Sequence, residues 1–69
     1  MFEGPWNLKC IKTFTIHGLY TFKEGCTYRV KDKFPDDNGN IDKGIWEIVN
    51  SGSLFNIGYD VRIKHFVAA

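Results

Sequence analysis

Apolar and polar positions in this chain alternate in short bursts of period two. The longest burst sets Phe55, Ile57, Tyr59, Val61, Ile63 and His65 against Asn56, Gly58, Asp60, Arg62 and Lys64. Successive strand side chains point to opposite faces, so this tract predicts a half-buried β-strand. Cys26, Tyr28 and Val30 alternate with Thr27, Arg29 and Lys31 in the same way. Leu8–Ile16 predicts a first strand, with Leu8, Cys10, Phe14 and Ile16 on one parity, Lys12 breaking that face and Ile11 on the other. Tyr20–Lys23 resumes the extended character, with Tyr20 and Phe22 sharing a face. Ile45–Val49 is nearly continuous in apolar residues, with Glu47 as its one charge, and fits a central strand partly covered on both faces.

Turn residues separate these tracts. Gly18, Glu24-Gly25 and Asn50-Ser51-Gly52-Ser53 each permit a reversal, and Phe34-Pro35-Asp36-Asp37-Asn38-Gly39-Asn40 is the strongest break. An exposed loop is predicted over 32–43. Residues 1–7 form a lead-in interrupted by Gly4-Pro5, from which Trp6 can fold back over one end of the core. The end of the chain admits two forms. The alternation favours a strand to His65; the other form ends the strand near Tyr59 and makes a short helical turn, with Asp60 as N-cap and Ile63, Phe66 and Val67 facing in. Four or five antiparallel strands at such spacings predict one small all-β domain over 1–69. A barrel is the favoured architecture because closure removes exposed edges.

Composition sharpens this. Aromatic residues make up 16% of the 69 positions, which supplies dense packing to a domain otherwise short of core. Nine Lys and Arg against eight Asp and Glu give a net charge of +1, without the excess that marks a basic nucleic-acid binder. Two cysteines, Cys10 and Cys26, are too few for the disulfide framework of a tiny secreted domain. There is no apolar leader and no apolar run of membrane-spanning length. The expectation is a cytoplasmic protein whose two thiols are reduced and serve as small core hydrophobes.

The chemistry-bearing residues form no recognisable catalytic set. Asp36, Asn38, Asn40, Asp42 and Glu47 occupy positions 1, 3, 5, 7 and 12 of an EF-hand-type calcium loop, but Ile41 stands where the sharp turn needs glycine, so a solvated turn is expected. Cys10, Cys26, His17 and His65 lack zinc-ligand spacing. Ser51 and Ser53 have no neighbouring histidine, neither cysteine precedes a predicted helix, and the glycines are scattered singly. No enzyme activity, metal or cofactor is expected.

The runs Leu8-Lys9-Cys10-Ile11-Lys12-Thr13-Phe14, Phe22-Lys23-Glu24-Gly25-Cys26-Thr27-Tyr28-Arg29-Val30 and Ile45-Trp46-Glu47-Ile48, with the closing Lys64-His65-Phe66, resemble a pattern in very short bacteriophage and prophage proteins. The resemblance spans roughly residues 8–67 and rests on structural motifs. It implies an SH3-like β-barrel and a protein that works by binding, and in some cases inhibiting, a host protein. It carries over no catalytic residue. The acidic loop and the lead-in depart from the compact pattern.

Two functions are therefore expected in order. The first is protein–protein binding through Trp6, Phe34 and Tyr59, with Asp36 and Asp37 steering toward a basic partner; homodimerisation is a sub-case. The alternative is nucleic-acid binding through Lys9, Arg29, Lys31, Arg62 and Lys64, which share the polar parity of their tracts, joined by Lys33 and by Tyr20, Phe34 or Tyr59 as stacking surfaces.

Overall fold

A computed structural model describes residues 4–69; Met1 to Glu3 of the predicted lead-in lie outside the described residues. The chain is all-β with one short helix. Its elements are β1 (Asn7–Cys10), β2 (Phe14–Ile16), β3 (Tyr20–Phe22), β4 (Thr27–Phe34), β5 (Ile45–Asn50), β6 (Ser53–Ile57), α1 (Tyr59–His65) and β7 (Phe66–Ala68). Five strands form an antiparallel sheet in the order β6-β5-β4-β1-β7, and β2 and β3 pair as a separate hairpin.

Local chemistry explains the joints. The β5–β6 hairpin closes through Ser51 and Gly52 with φ of 53° and 80°, the positive pair that a two-residue reversal between right-twisted strands requires. His17 and Gly18, with φ of 55° and 68°, reverse β2 into β3. The predicted first strand divides in two. Lys12 interrupts the inward face, and the chain bends over 11–13 before β2 begins.

β4 runs three residues into the predicted loop, so the break spans 35–44 rather than 32–43. Its register against β5 slips between Val30, opposite Ile48, and Asp32, opposite Glu47. That bulge inserts one residue and reverses the parity. Tyr28 and Val30 face inward before it; after it Lys33, opposite Trp46, does so.

The larger correction is at the C-terminal end. The strand predicted to His65 stops at Ile57, and Tyr59–His65 is helical, as in the second form, but capped by Gly58 rather than Asp60. β6 and β7 are the two outer strands of the sheet, so the chain between them must travel from one edge to the other. Tyr59, Arg62 and His65, spaced by three, turn toward the protein, while Val61 and Ile63 are exposed. Of the three residues expected to face in, only Phe66 is buried; Ile63 and Val67 are not.

The core comprises Leu8, Cys10, Phe22, Val30, Trp46, Ile48, Ile57 and Phe66. Phe22 sits among four rings, stacked on Phe14 at 5.0 Å and meeting Tyr28, Phe55 and Phe66 at 4.8, 5.7 and 5.7 Å. Such pairs add about 0.5–1.5 kcal/mol each beyond the area they bury. Cys10 is fully buried as expected, whereas Cys26 is exposed at the mouth of β4, which corrects its assignment to the core.

Candidate functional site

Four of the predicted site residues, Trp6, Lys33, Tyr59 and Arg62, meet in one column at the end of the sheet opposite the Phe22 cluster. Lys33 Nζ lies 4.4 Å from the Trp6 ring centre and 4.2 Å from that of Trp46. The Arg62 guanidinium lies 4.0 Å from Trp46 and 5.7 Å from Tyr59. Trp6, Lys33, Trp46, Arg62 and Tyr59 thus alternate ring and cation. Four segments deliver the five members: the lead-in gives Trp6, β4 through its bulge gives Lys33, β5 gives Trp46, and α1 gives both Arg62 and Tyr59. The Trp46 indole is fixed by donating from Nε1 to the Ile41 carbonyl at 2.8 Å.

Both cations are buried, Lys33 to 9% and Arg62 to 5% of full exposure. The guanidinium answers its desolvation with hydrogen bonds: Nη1 donates to the carbonyls of Gly44 (2.6 Å) and Ile57 (3.2 Å), and Nη2 donates to that of Asp42. Burial pulls its pKa below the ordinary arginine value, and the Asp42 carboxylate and Tyr59 partly oppose that shift. Among the described residues no buried side-chain nitrogen or oxygen lacks a partner. Gly44 is fitted to this arrangement: a Cβ there would stand 1.7 Å from the Phe34 carbonyl oxygen.

The loop over 35–44 is ordered from within. The Asp36 carboxylate accepts from the N–H groups of Asn38 (2.9 Å) and Asn40 (2.8 Å), and the Asp36 and Asn40 backbones bond at 3.0 Å. Asp36 is thus partly occupied in holding its own loop, while Asp37 is exposed. Glu47, the twelfth position of the calcium-loop pattern, sits instead in β5 opposite Asn56. Among the described residues no group of three or more His, Cys, Asp or Glu could hold a metal ion.

The basic set divides. Lys9, Arg29 and Lys31 are exposed, and the pairs Asn7–Arg29 and Lys9–Thr27 put Lys9 diagonal to Arg29 on one outer face. Lys64 is exposed on α1. Arg62 does not join them. The strand that would have turned it outward is a helix, and that helix turns it inward under Trp46.

The outer face of β4, β5 and β6 surrounds the predicted anchor Phe34 with Ile45, Val49 and Leu54, which the sequence did not single out as binding residues. Phe34 and Ile45 are cross-strand partners, 44% and 49% exposed, and Val49 is paired with the exposed Leu54. Asp32, Glu47 and Asn56 form the polar row between these two pairs. The signal was present: the run Ile45–Val49, broken by Glu47 alone, puts apolar residues on both faces of β5, and the face of Trp46 and Ile48 is the buried one.

No family model, curated protein or solved structure matches this chain. No helix among the described residues is long and apolar enough to cross a membrane.

Proposed function

We propose that this chain is a non-enzymatic accessory protein of the bacteriophage type, an SH3-like barrel that acts by binding a host or phage protein and blocking it. The observation that carries the reading is the outer face of β4–β6, where the pairs Phe34–Ile45 and Val49–Leu54 flank the polar row Asp32–Glu47–Asn56. Isolated exposed hydrophobes are ordinary, but apolar cross-strand pairs grouped on one face mark an interaction surface. Binding energy concentrates in large apolar anchors, and Phe34 is the natural one. The strand order, which sets β1 between β4 and β7, supports the small-barrel part of the reading.

The nucleic-acid alternative draws on Lys9, Arg29 and Lys31. It is weakened by the loss of Lys33 and Arg62 to the interior. Without those two, seven of the nine cations remain outside, against eight carboxylates in the chain.

The test is capture from nuclease-treated bacterial lysate by the tagged protein and by a Phe34→Glu, Ile45→Glu double variant. A discrete partner retained by the first and lost by the second, with both chains giving the same circular dichroism, supports the reading. Capture at background, or capture indifferent to the double substitution, removes it.

A further inference from the structure

One step beyond the Lys9–Thr27 pair, β1 meets the start of β4 in a bulge: Cys10 N–H donates to the Cys26 carbonyl (2.9 Å), and Gly25 N–H donates to the Cys10 carbonyl (2.7 Å). Gly25 makes this possible with φ of 89°. The two cysteines of the chain are therefore cross-strand neighbours, brought together from sixteen positions apart by the intervening hairpin. The single N–H···O=C link of 2.9 Å between them holds their backbones as close as neighbouring strands come, and a disulfide spans Cα atoms about 4.4–6.8 Å apart. Their surroundings agree. Burial is the main reason the Tyr28 phenol is raised above its ordinary pKa, and the thiols of Cys26 and Cys10 both add to that shift.

The two sulfurs differ in access. Cys26 is exposed, while Cys10 is fully buried, its Sγ 3.2 Å from the Lys12 carbonyl and 3.5 Å from that of Phe22. That is the division of labour of an attacking and a resolving thiol.

We propose that Cys10 and Cys26 form a thiol–disulfide exchange site, at which exposed Cys26 takes up a small disulfide such as oxidised glutathione and buried Cys10 resolves it into an intramolecular bridge. The Cys26 thiolate attacks one glutathione sulfur, forms the mixed disulfide and expels one glutathione thiolate. Cys10, on losing its proton to water, attacks Cys26 Sγ and expels the second. The protein gives up two electrons and two protons, and one oxidised glutathione becomes two reduced ones. The bridge closes residues 11–25 at their base, staples the β2–β3 hairpin to the sheet and fixes the hairpin tip with exposed Leu19.

The experiment treats the reduced full chain with excess oxidised glutathione at pH 8 and reads intact mass and Tm. The expected product is a monomer lighter by two hydrogens, with no free thiol after denaturation, a Tm raised on the order of 10 °C, and full reversal by dithiothreitol. Cys26→Ser, a change at an exposed position, should show neither the mass loss nor the shift. A monomer that keeps one glutathionyl group on Cys26, a covalent dimer, or a chain that retains both thiols would each overturn the proposal.

Discussion

Arg62 shows what a buried cation requires. Its guanidinium sits among three carbonyl oxygens and two rings, and each of those carbonyls would otherwise need a donor in a place with little water. Arg62→Ala is expected to lose about 3–5 kcal/mol in urea unfolding, because truncation strands the partners as well as removing the contacts. Arg62→Lys should recover only part of that, since an ammonium cannot present two separated nitrogens to three acceptors. Equal stability of the wild type and Arg62→Ala would show that the column is incidental. Gly44→Ala attacks the same place through the backbone. Its Cβ would collide with the Phe34 carbonyl, which is main chain and has nowhere to go, and a loss of about 2–4 kcal/mol is expected in the same assay. Tyr28 gives a pH signature. Its phenol accepts from the Lys23 N–H (2.8 Å), yet burial dominates and raises its pKa above 10.0. A phenol whose ionisation is harder in the folded state stabilises fully below the unfolded pKa, and that stability drains away as pH climbs through the raised value. The stability gap between the wild type and Tyr28→Phe should therefore narrow above about pH 10, as measured by urea midpoints from pH 8 to 11.5. A gap independent of pH would count against it.

Elements were legible where pattern and turn chemistry agreed. Cys26–Val30, Tyr20–Phe22, Ile45–Val49 and the Ser51-Gly52 reversal could all be read because strand alternation ended at residues suited to positive φ or a tight turn. Tyr59–His65 deceived the reading for a physical reason. Its alternation is real, but the residue spacing that matters there is three, and the one fully buried member is an arginine while the isoleucine faces out. A hydrophobicity pattern cannot signal a polar side chain buried by acceptors from other segments. The bulge in β4 is equally silent, because nothing between Val30 and Asp32 announces that the inward parity will pass to Lys33. The helix also carries a correctable weakness. Gly58, at its N-cap, has extended φ and ψ of −76° and 169° and no side-chain cap, and a Cβ there would meet nothing within 4 Å. Gly58→Asp should raise stability by about 0.5–1 kcal/mol, by capping the first turn and by restricting the unfolded chain. Thermal denaturation at matched pH checks it, and an unchanged or lowered Tm would mean that the first turn is held by other contacts.

At the scale of the molecule, the two ends of the sheet have different chemistry, apolar rings around Phe22 at one and rings interleaved with cations at the other. This division was not legible in the net charge of +1, which counts Lys33 and Arg62 as though they were on the surface. With both inside, the exterior has no cationic excess, and Lys9, Arg29 and Lys31 stand as a local group. Counterion release needs several phosphates neutralised together to produce a steep salt response, so a surface of this kind should hold a single-stranded oligonucleotide poorly even in dilute salt. The apolar face of β4–β6 depends little on ionic strength. Partner capture should therefore change by less than about twofold between 50 and 500 mM salt, since screening acts on charges and leaves apolar burial intact. Oligonucleotide affinity that is readily measured at 50 mM and collapses log-linearly with added salt would reverse this ordering and move the function to the Lys9–Arg29 face.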